Sequence, residues 1–149
     1  MKKLSYETLK EQNYSGYLLE DAPERVLQFG EGNFLRAFVD YMFDEINAQG
    51  LFEGGITLVQ PIPGGDFLRN ILNEQEGLYT LIARGRENGE KVAAKRLITC
   101  VNRCINPYVD FETYNNCAKN PELRFVVSNT TEAGISWEEE DMVEGKPQD

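Results

Sequence analysis

Arg25-Val26-Leu27-Gln28-Phe29-Gly30-Glu31-Gly32-Asn33-Phe34-Leu35-Arg36-Ala37-Phe38 runs a short apolar strand through a glycine turn directly into an amphipathic helix. That order suits a nucleotide phosphate. Gly30 can take tight-turn backbone angles, and Gly32, lacking a Cβ, lets the chain approach a pyrophosphate. The free N–H groups of Asn33, Phe34 and Leu35 then open a helix whose dipole favours negative charge. The loop reads as a dinucleotide cradle, with Arg36 a secondary candidate for phosphate contact. Leu35 stands where the third glycine of a G-x-G-x-x-G pattern would be, so close helix–strand packing is assigned elsewhere, to Ala37.

The helix itself is strongly periodic. Phe34, Phe38, Tyr41 and Met42 with Leu35, Val39 and Ile46 make a wide apolar face, while Arg36, Asp40, Asp44 and Asn47 form a polar stripe on the other side, the pattern of a helix that buries its apolar side. Gly50 is the stop. A second strand, Ile56 to Ile62, follows in a βαβ arrangement that implies parallel pairing and a right-handed crossover. Leu78 to Ala83 and Val92 to Ile105 are β-rich runs joined through Asn88-Gly89, a strong hairpin signal. A helix from Asp110 to Lys119 and a buried strand from Leu123 to Ser128 complete the pattern. The fold class is α/β, a mostly parallel sheet with helices on both faces and an inserted β-hairpin. Residues 1–20 read as a surface arm and 21–149 as one dinucleotide-binding domain.

Two further segments fall at the carboxyl ends of strands, where such folds bind ligands. Gln60 occupies the position usually given to an acidic ribose-binding residue; the next acid is Asp66 and the nearest cation Arg69. Gln60 can hydrogen-bond a ribose hydroxyl without repelling a 2′-phosphate, so the residues leave NAD and NADP open. Ser128-Asn129-Thr130-Thr131-Glu132 offers hydroxyls, an amide and a carboxylate that could reach ribose or nicotinamide. The competing reading is a strand followed by a capped helix or hydroxyl turn.

Composition excludes several chemistries. The 149 residues hold no histidine and three cysteines, so no Ser-His-Asp, Cys-His or Cys/His zinc machinery is available. Cys100 and Cys104, four apart in a β-like stretch, would lie about 13 Å from each other, too far for a disulfide. With Cys117 they read as buried free thiols of a reducing compartment, the cytoplasm. A formal net charge of −10 argues against nucleic acid, and no apolar run is long enough for a membrane span. The acidic run Glu138-Glu139-Glu140-Asp141, with Glu144, is read as solvated surface, and no metal is assigned.

Three segments in register give these parts a common origin. Phe29-Gly30-Glu31-Gly32-Asn33-Phe34-Leu35-Arg36-Ala37-Phe38, Gln75-Glu76-Gly77-Leu78-Tyr79-Thr80 and Arg124-Phe125-Val126-Val127-Ser128-Asn129-Thr130-Thr131-Glu132-Ala133-Gly134-Ile135 resemble the N-terminal Rossmann half of the mannitol dehydrogenase family of long-chain polyol dehydrogenases. The wording is most similar to the branch that interconverts tagaturonate and altronate in hexuronate breakdown. The resemblance implies an NAD-dependent oxidoreductase acting on a small sugar acid, with cofactor residues Gly30, Gly32, Asn33, Phe34, Leu35, Arg36, Gln60, Asn129, Thr130, Thr131 and Glu132. It also implies a lysine base with asparagine and histidine partners, in a Lys-x-x-x-x-Asn-x-x-His pattern that is absent from this chain. The catalytic domain is therefore expected beyond a fragment of this size, and no catalytic residue is assigned here. The alternative is a stand-alone module that binds a nucleotide or S-adenosylmethionine without chemistry.

Overall fold

The computed structural model describes residues 2–130. Strand β1 (Glu24–Phe29) leads into α2 (Asn33–Ala48), β2 (Gly55–Val59) and α3 (Asp66–Glu74); the preceding α1 is Tyr6–Glu11. The hairpin β3 (Tyr79–Glu87) and β4 (Glu90–Ile98) precedes β5 (Val101–Ile105), α4 (Phe111–Cys117) and β6 (Phe125–Ser128). Four strands pair in parallel in the order β5-β2-β1-β6, and β3-β4 form a separate antiparallel sheet. Asn88 and Gly89, both with positive φ, make the two-residue turn that the Asn-Gly pair demands.

Strand alternation sorts the core into two layers. Val26, Ile56, Leu58 and Cys104 point to one face and pack with Leu72 of α3 and Phe43 of α2. Leu27, Val59 and Ile105 point to the other and meet Cys117 and Tyr114 of α4. The sheet thus carries helices on both faces, the period-two pattern of a buried parallel sheet.

Several expectations are corrected. The long run Val92 to Ile105 is two strands in two sheets, because the chain turns at Thr99-Cys100. Thr99 gives both its N–H (2.8 Å) and its hydroxyl (3.1 Å) to Asp44 Oδ1, and the Cys100 carbonyl accepts from Ile56 N at 2.7 Å, the first bond to the parallel sheet. Cys100 and Cys104 therefore do not share one strand, although all three thiols are free and buried. Strand β2 ends at Val59, three residues before the expected end, since Pro61 has no N–H for a ladder. Strand β6 is an edge strand, with Phe125 and Val126 exposed instead of buried. Helix α3 had no clear signal in the sequence, its apolar positions Phe67, Leu68, Ile71 and Leu72 being few and close to the glycine turn. At the N-terminus, Ser5 and Thr8 form a capping box for α1 and Leu9 is buried. Leu19 N donates to Thr99 Oγ1 at 3.1 Å, tying this segment to the turn between sheets.

The largest correction is the orientation of α2. Asp40, Asp44 and Asn47 are buried, whereas Phe34 and Phe38 are 61% and 50% exposed and Tyr41 and Met42 also face outward. Partners explain the inversion. Asp44 takes Arg96 Nε at 2.7 Å besides the two Thr99 donors, and Asn47 both accepts from Gly54 N (3.0 Å) and donates to Gly54 O (2.8 Å). A buried polar side chain is tolerated where such bonds replace water, and here Arg96 of the hairpin, Thr99 of the turn after it and Gly54 before β2 supply them.

Candidate dinucleotide site

Gly30 closes β1 with φ of +117°, a backbone that side chains resist, and a Cβ there would sit 3.0 Å from Leu35 Cδ1. Leu35 is thereby the residue that packs under the loop, while Ala37, expected in that role, is exposed. Gly30 N donates to Val59 O at 2.9 Å, joining the loop to the end of β2. Gly32 is the N-cap of α2, in extended backbone and with no side-chain cap. Among the described residues a Cβ on Gly32 would meet nothing within 4 Å. Among the described residues no group accepts from the N–H of Asn33, Phe34 or Leu35; the first α2 amide to find a carbonyl is Arg36 N, on Gly32 O at 3.2 Å. Three amides at the positive end of a sixteen-residue helix thus have no acceptor among the described residues.

Arg36 reaches back over the loop. Its Nε donates to Glu31 O at 2.8 Å and Nη2 to Asn33 Oδ1 at 2.6 Å, and its guanidinium lies 5.2 Å from the Tyr79 ring centroid. It braces the cradle from the side instead of pairing along the helix with Asp40. Gln60, at the end of β2, is fully buried and donates Nε2 to Ile62 O at 3.1 Å, leaving Oε1 without a partner among the described residues. Asp66 and Arg69 are engaged nearby: Arg69 Nε lies 3.1 Å from Asp66 Oδ1 without hydrogen-bond alignment, and Asn106 Nδ2 donates to the same oxygen at 3.0 Å. In the β1–β6 register Ser128 stands beside Phe29, so Asn129 and Thr130 emerge next to the glycine loop. The hydroxyls of Ser128 and Thr130 are 3.1 Å apart. Thr131, Glu132 and the acidic run from Glu138 to Glu144 lie outside the described residues. Gly30 to Arg36, Gln60, Asn129 and Thr130 therefore share the carboxyl edge of the sheet. The chain passes from β1 to β2 on one side and later to β6 on the other, so this edge is the switch point where open α/β sheets bind ligands.

Residues 24–146 match the family model described as "Mannitol dehydrogenase Rossmann domain". The chain belongs to this family. It is 46% identical over 126 residues to altronate oxidoreductase of Bacillus subtilis (strain 168), covering 85% of this chain and 26% of that protein. To altronate oxidoreductase of Klebsiella pneumoniae subsp. pneumoniae it is 49% identical over 141 residues, 94% of this chain and 28% of the relative. The chain thus spans about a quarter of the length of the curated relatives it matches. Among solved structures, Pseudomonas fluorescens mannitol 2-dehydrogenase in ternary complex with NAD and D-mannitol shares the fold at TM-score 0.73 and 22% identity, covering 86% of this chain and 26% of that one. D-sorbitol dehydrogenase in substrate-free form does so at TM-score 0.73 and 20% identity, over 87% and 27%.

The Rossmann domain also contains polar residues behind its loop that the sequence reading did not single out for the site. Gln28, fully buried on β1, donates Nε2 to Gly30 O at 3.2 Å, and its Oε1 has no partner. Tyr79, the first residue of β3, places its hydroxyl 2.8 Å from Arg36 O and 2.9 Å from Asp40 Oδ2. Burial, followed by the charge of Asp40, holds the Tyr79 hydroxyl far above the usual tyrosine range, so it stays protonated. The available signal was the spacing of Asp40, Asp44 and Asn47, which puts three polar groups on one helix face.

Proposed function

We propose that this chain is the NAD-binding domain of an oxidoreductase that interconverts tagaturonate and altronate in hexuronate breakdown, working in the cytoplasm on a small sugar acid. The observation that carries the reading is the open helix terminus at Gly32. Three unpartnered amides, a glycine with empty space around its missing Cβ and a switch-point position together fit a pyrophosphate. The orphaned Gln60 Oε1, beside the same edge, fits an acceptor for a ribose hydroxyl. Asn33, Phe34, Leu35 and Arg36 line the cradle, and Asn129 and Thr130, followed in sequence by Thr131 and Glu132, border the nicotinamide end. The bound dinucleotide supplies the hydride acceptor or donor; the chain's own residues bind and orient it. The names and 43–49% identities of the relatives support the substrate class.

The catalytic base belongs to the part of the longer protein beyond this domain, as does the cover for the outward face of α2. That face, Phe34, Phe38, Tyr41 and Met42, is a contiguous exposed patch of the kind monomers rarely leave open, and relatives more than three times this length have the chain to cover it. Calorimetric titration of the chain with NADH tests the cofactor assignment, with S-adenosylmethionine and ATP as competitors. Binding of NADH at sub-millimolar concentration is expected; no binding at millimolar NADH, or preference for S-adenosylmethionine, would overturn it.

A further inference from the structure

The Tyr79 hydroxyl touches two oxygens, and both of them, the Arg36 carbonyl and an ionised Asp40 carboxylate, can only accept. A phenol carries one hydrogen, so both contacts become full hydrogen bonds when the carboxyl supplies the second proton. The surroundings favour that proton. Asp40 is fully buried, and among the described residues its Oδ1 has no partner and no cation forms an ion pair with it; Arg36 turns its guanidinium to the loop and the Tyr79 ring. With that proton in place Asp40 can donate to the Tyr79 hydroxyl and Tyr79 to Arg36 O, while Arg36 Nε donates to Glu31 O and Gln28 Nε2 to Gly30 O.

We propose that Asp40 is a titrating positioning residue behind the glycine loop whose protonated form donates to Tyr79, and that the dinucleotide binds more tightly to the chain carrying this proton, the second part resting on the cofactor reading above. Ionisation would make Tyr79 choose between Asp40 and the Arg36 carbonyl, loosening the first turns of α2. It would also set a negative charge about 10 Å along the helix from the pyrophosphate amides, in a poorly screened interior. The groups facing Asp40 are Tyr79 from β3, Gln28 from β1, Arg36 and Asp44 from α2, and Cys100 from the turn after β4. Burial is the largest influence and lifts the Asp40 carboxyl to about 6; Tyr79, Gln28 and Arg36 pull it down and Asp44 pushes it up. Because this folded value lies above the unfolded one, the stabilisation is complete below about pH 4 and lost as pH rises through about 6, roughly a hundredfold in the folding equilibrium.

The test is calorimetric titration of the chain with NADH from pH 5 to 8, in buffers of different ionisation enthalpy. The wild type is expected to take up a fraction of a proton on binding near pH 6.5 and to lose affinity several-fold by pH 8. Asp40→Asn, whose amide can donate to Tyr79 at every pH, is expected to bind with no proton uptake and a flat profile. Carboxyl-carbon NMR of the wild type, free and NADH-bound, reads Asp40 directly and serves even if the variant does not fold. Titration near 6, moving upward on binding, supports the proposal; titration near 4 overturns it. Binding that is flat in pH for the wild type overturns the coupling alone. No NADH binding at any pH overturns the cofactor reading and the coupling with it, while the NMR midpoint still reports whether Asp40 holds the proton.

Discussion

At the scale of single residues, Gly32 separates folding from binding more cleanly than any other position. Its φ of −67° is open to every residue and its Cβ would touch no atom of the described residues, so a side chain there costs the fold little. The same side chain would occupy the space in front of the α2 amides. Gly32→Val is therefore expected to weaken NADH binding by about a hundredfold or more, in line with the close backbone approach that the second glycine permits, while circular dichroism and the unfolding midpoint stay near wild type. Undiminished binding would place the cradle elsewhere. Gly30 is the contrast, since its φ and its contact with Leu35 make any substitution a folding defect first. The sequence made both glycines legible because turn geometry is local. It hid Gln28, Asp40 and Tyr79, whose roles arise from a meeting of β1, α2 and β3 that no local pattern encodes.

At the scale of elements, α2 shows why amphipathicity fixed the presence of a helix but not its rotation. Its apolar and polar stripes are both real, and the usual rule turns the apolar one inward. Here Arg96 and Thr99, brought in by the hairpin and the turn that follows it, reverse the outcome by satisfying Asp44, and Gly54 does the same for Asn47. Arg96 also bonds Glu45 and donates Nη2 to Asp44 O at 3.1 Å. Removing the cation leaves a buried carboxylate with only the Thr99 donors. Arg96→Met is expected to lower stability by about 2–4 kcal/mol, measured by urea unfolding at pH 7, with Asp44→Asn rescuing part of the loss. If Arg96→Met unfolds at the wild-type midpoint, packing alone sets the rotation of α2. The division of Val92 to Ile105 into two strands escaped the sequence for the same reason, because Asp44 on a distant helix anchors the turn.

At the scale of the whole molecule, the proposed function makes the exposed aromatic stripe of α2 one half of a cleft. If the chain is the cofactor half of a two-domain dehydrogenase, as proposed, substrate sits between the halves and the groups that take the proton arrive opposite this face. The strand order and register set Ser128 beside Phe29, the edge at which the proposed function puts the hydride end of the site. The chain alone should bind NADH yet leave altronate unoxidised with NAD, whereas the full-length protein should turn it over. Left uncovered, Phe34, Phe38, Tyr41 and Met42 should also draw copies of the chain together despite a charge of −10, and Phe38→Ser with Met42→Ser should shift light scattering toward the monomer. Steady altronate oxidation by the 149 residues alone would mean that a base already stands among them, and the division of labour across the cleft would have to be redrawn.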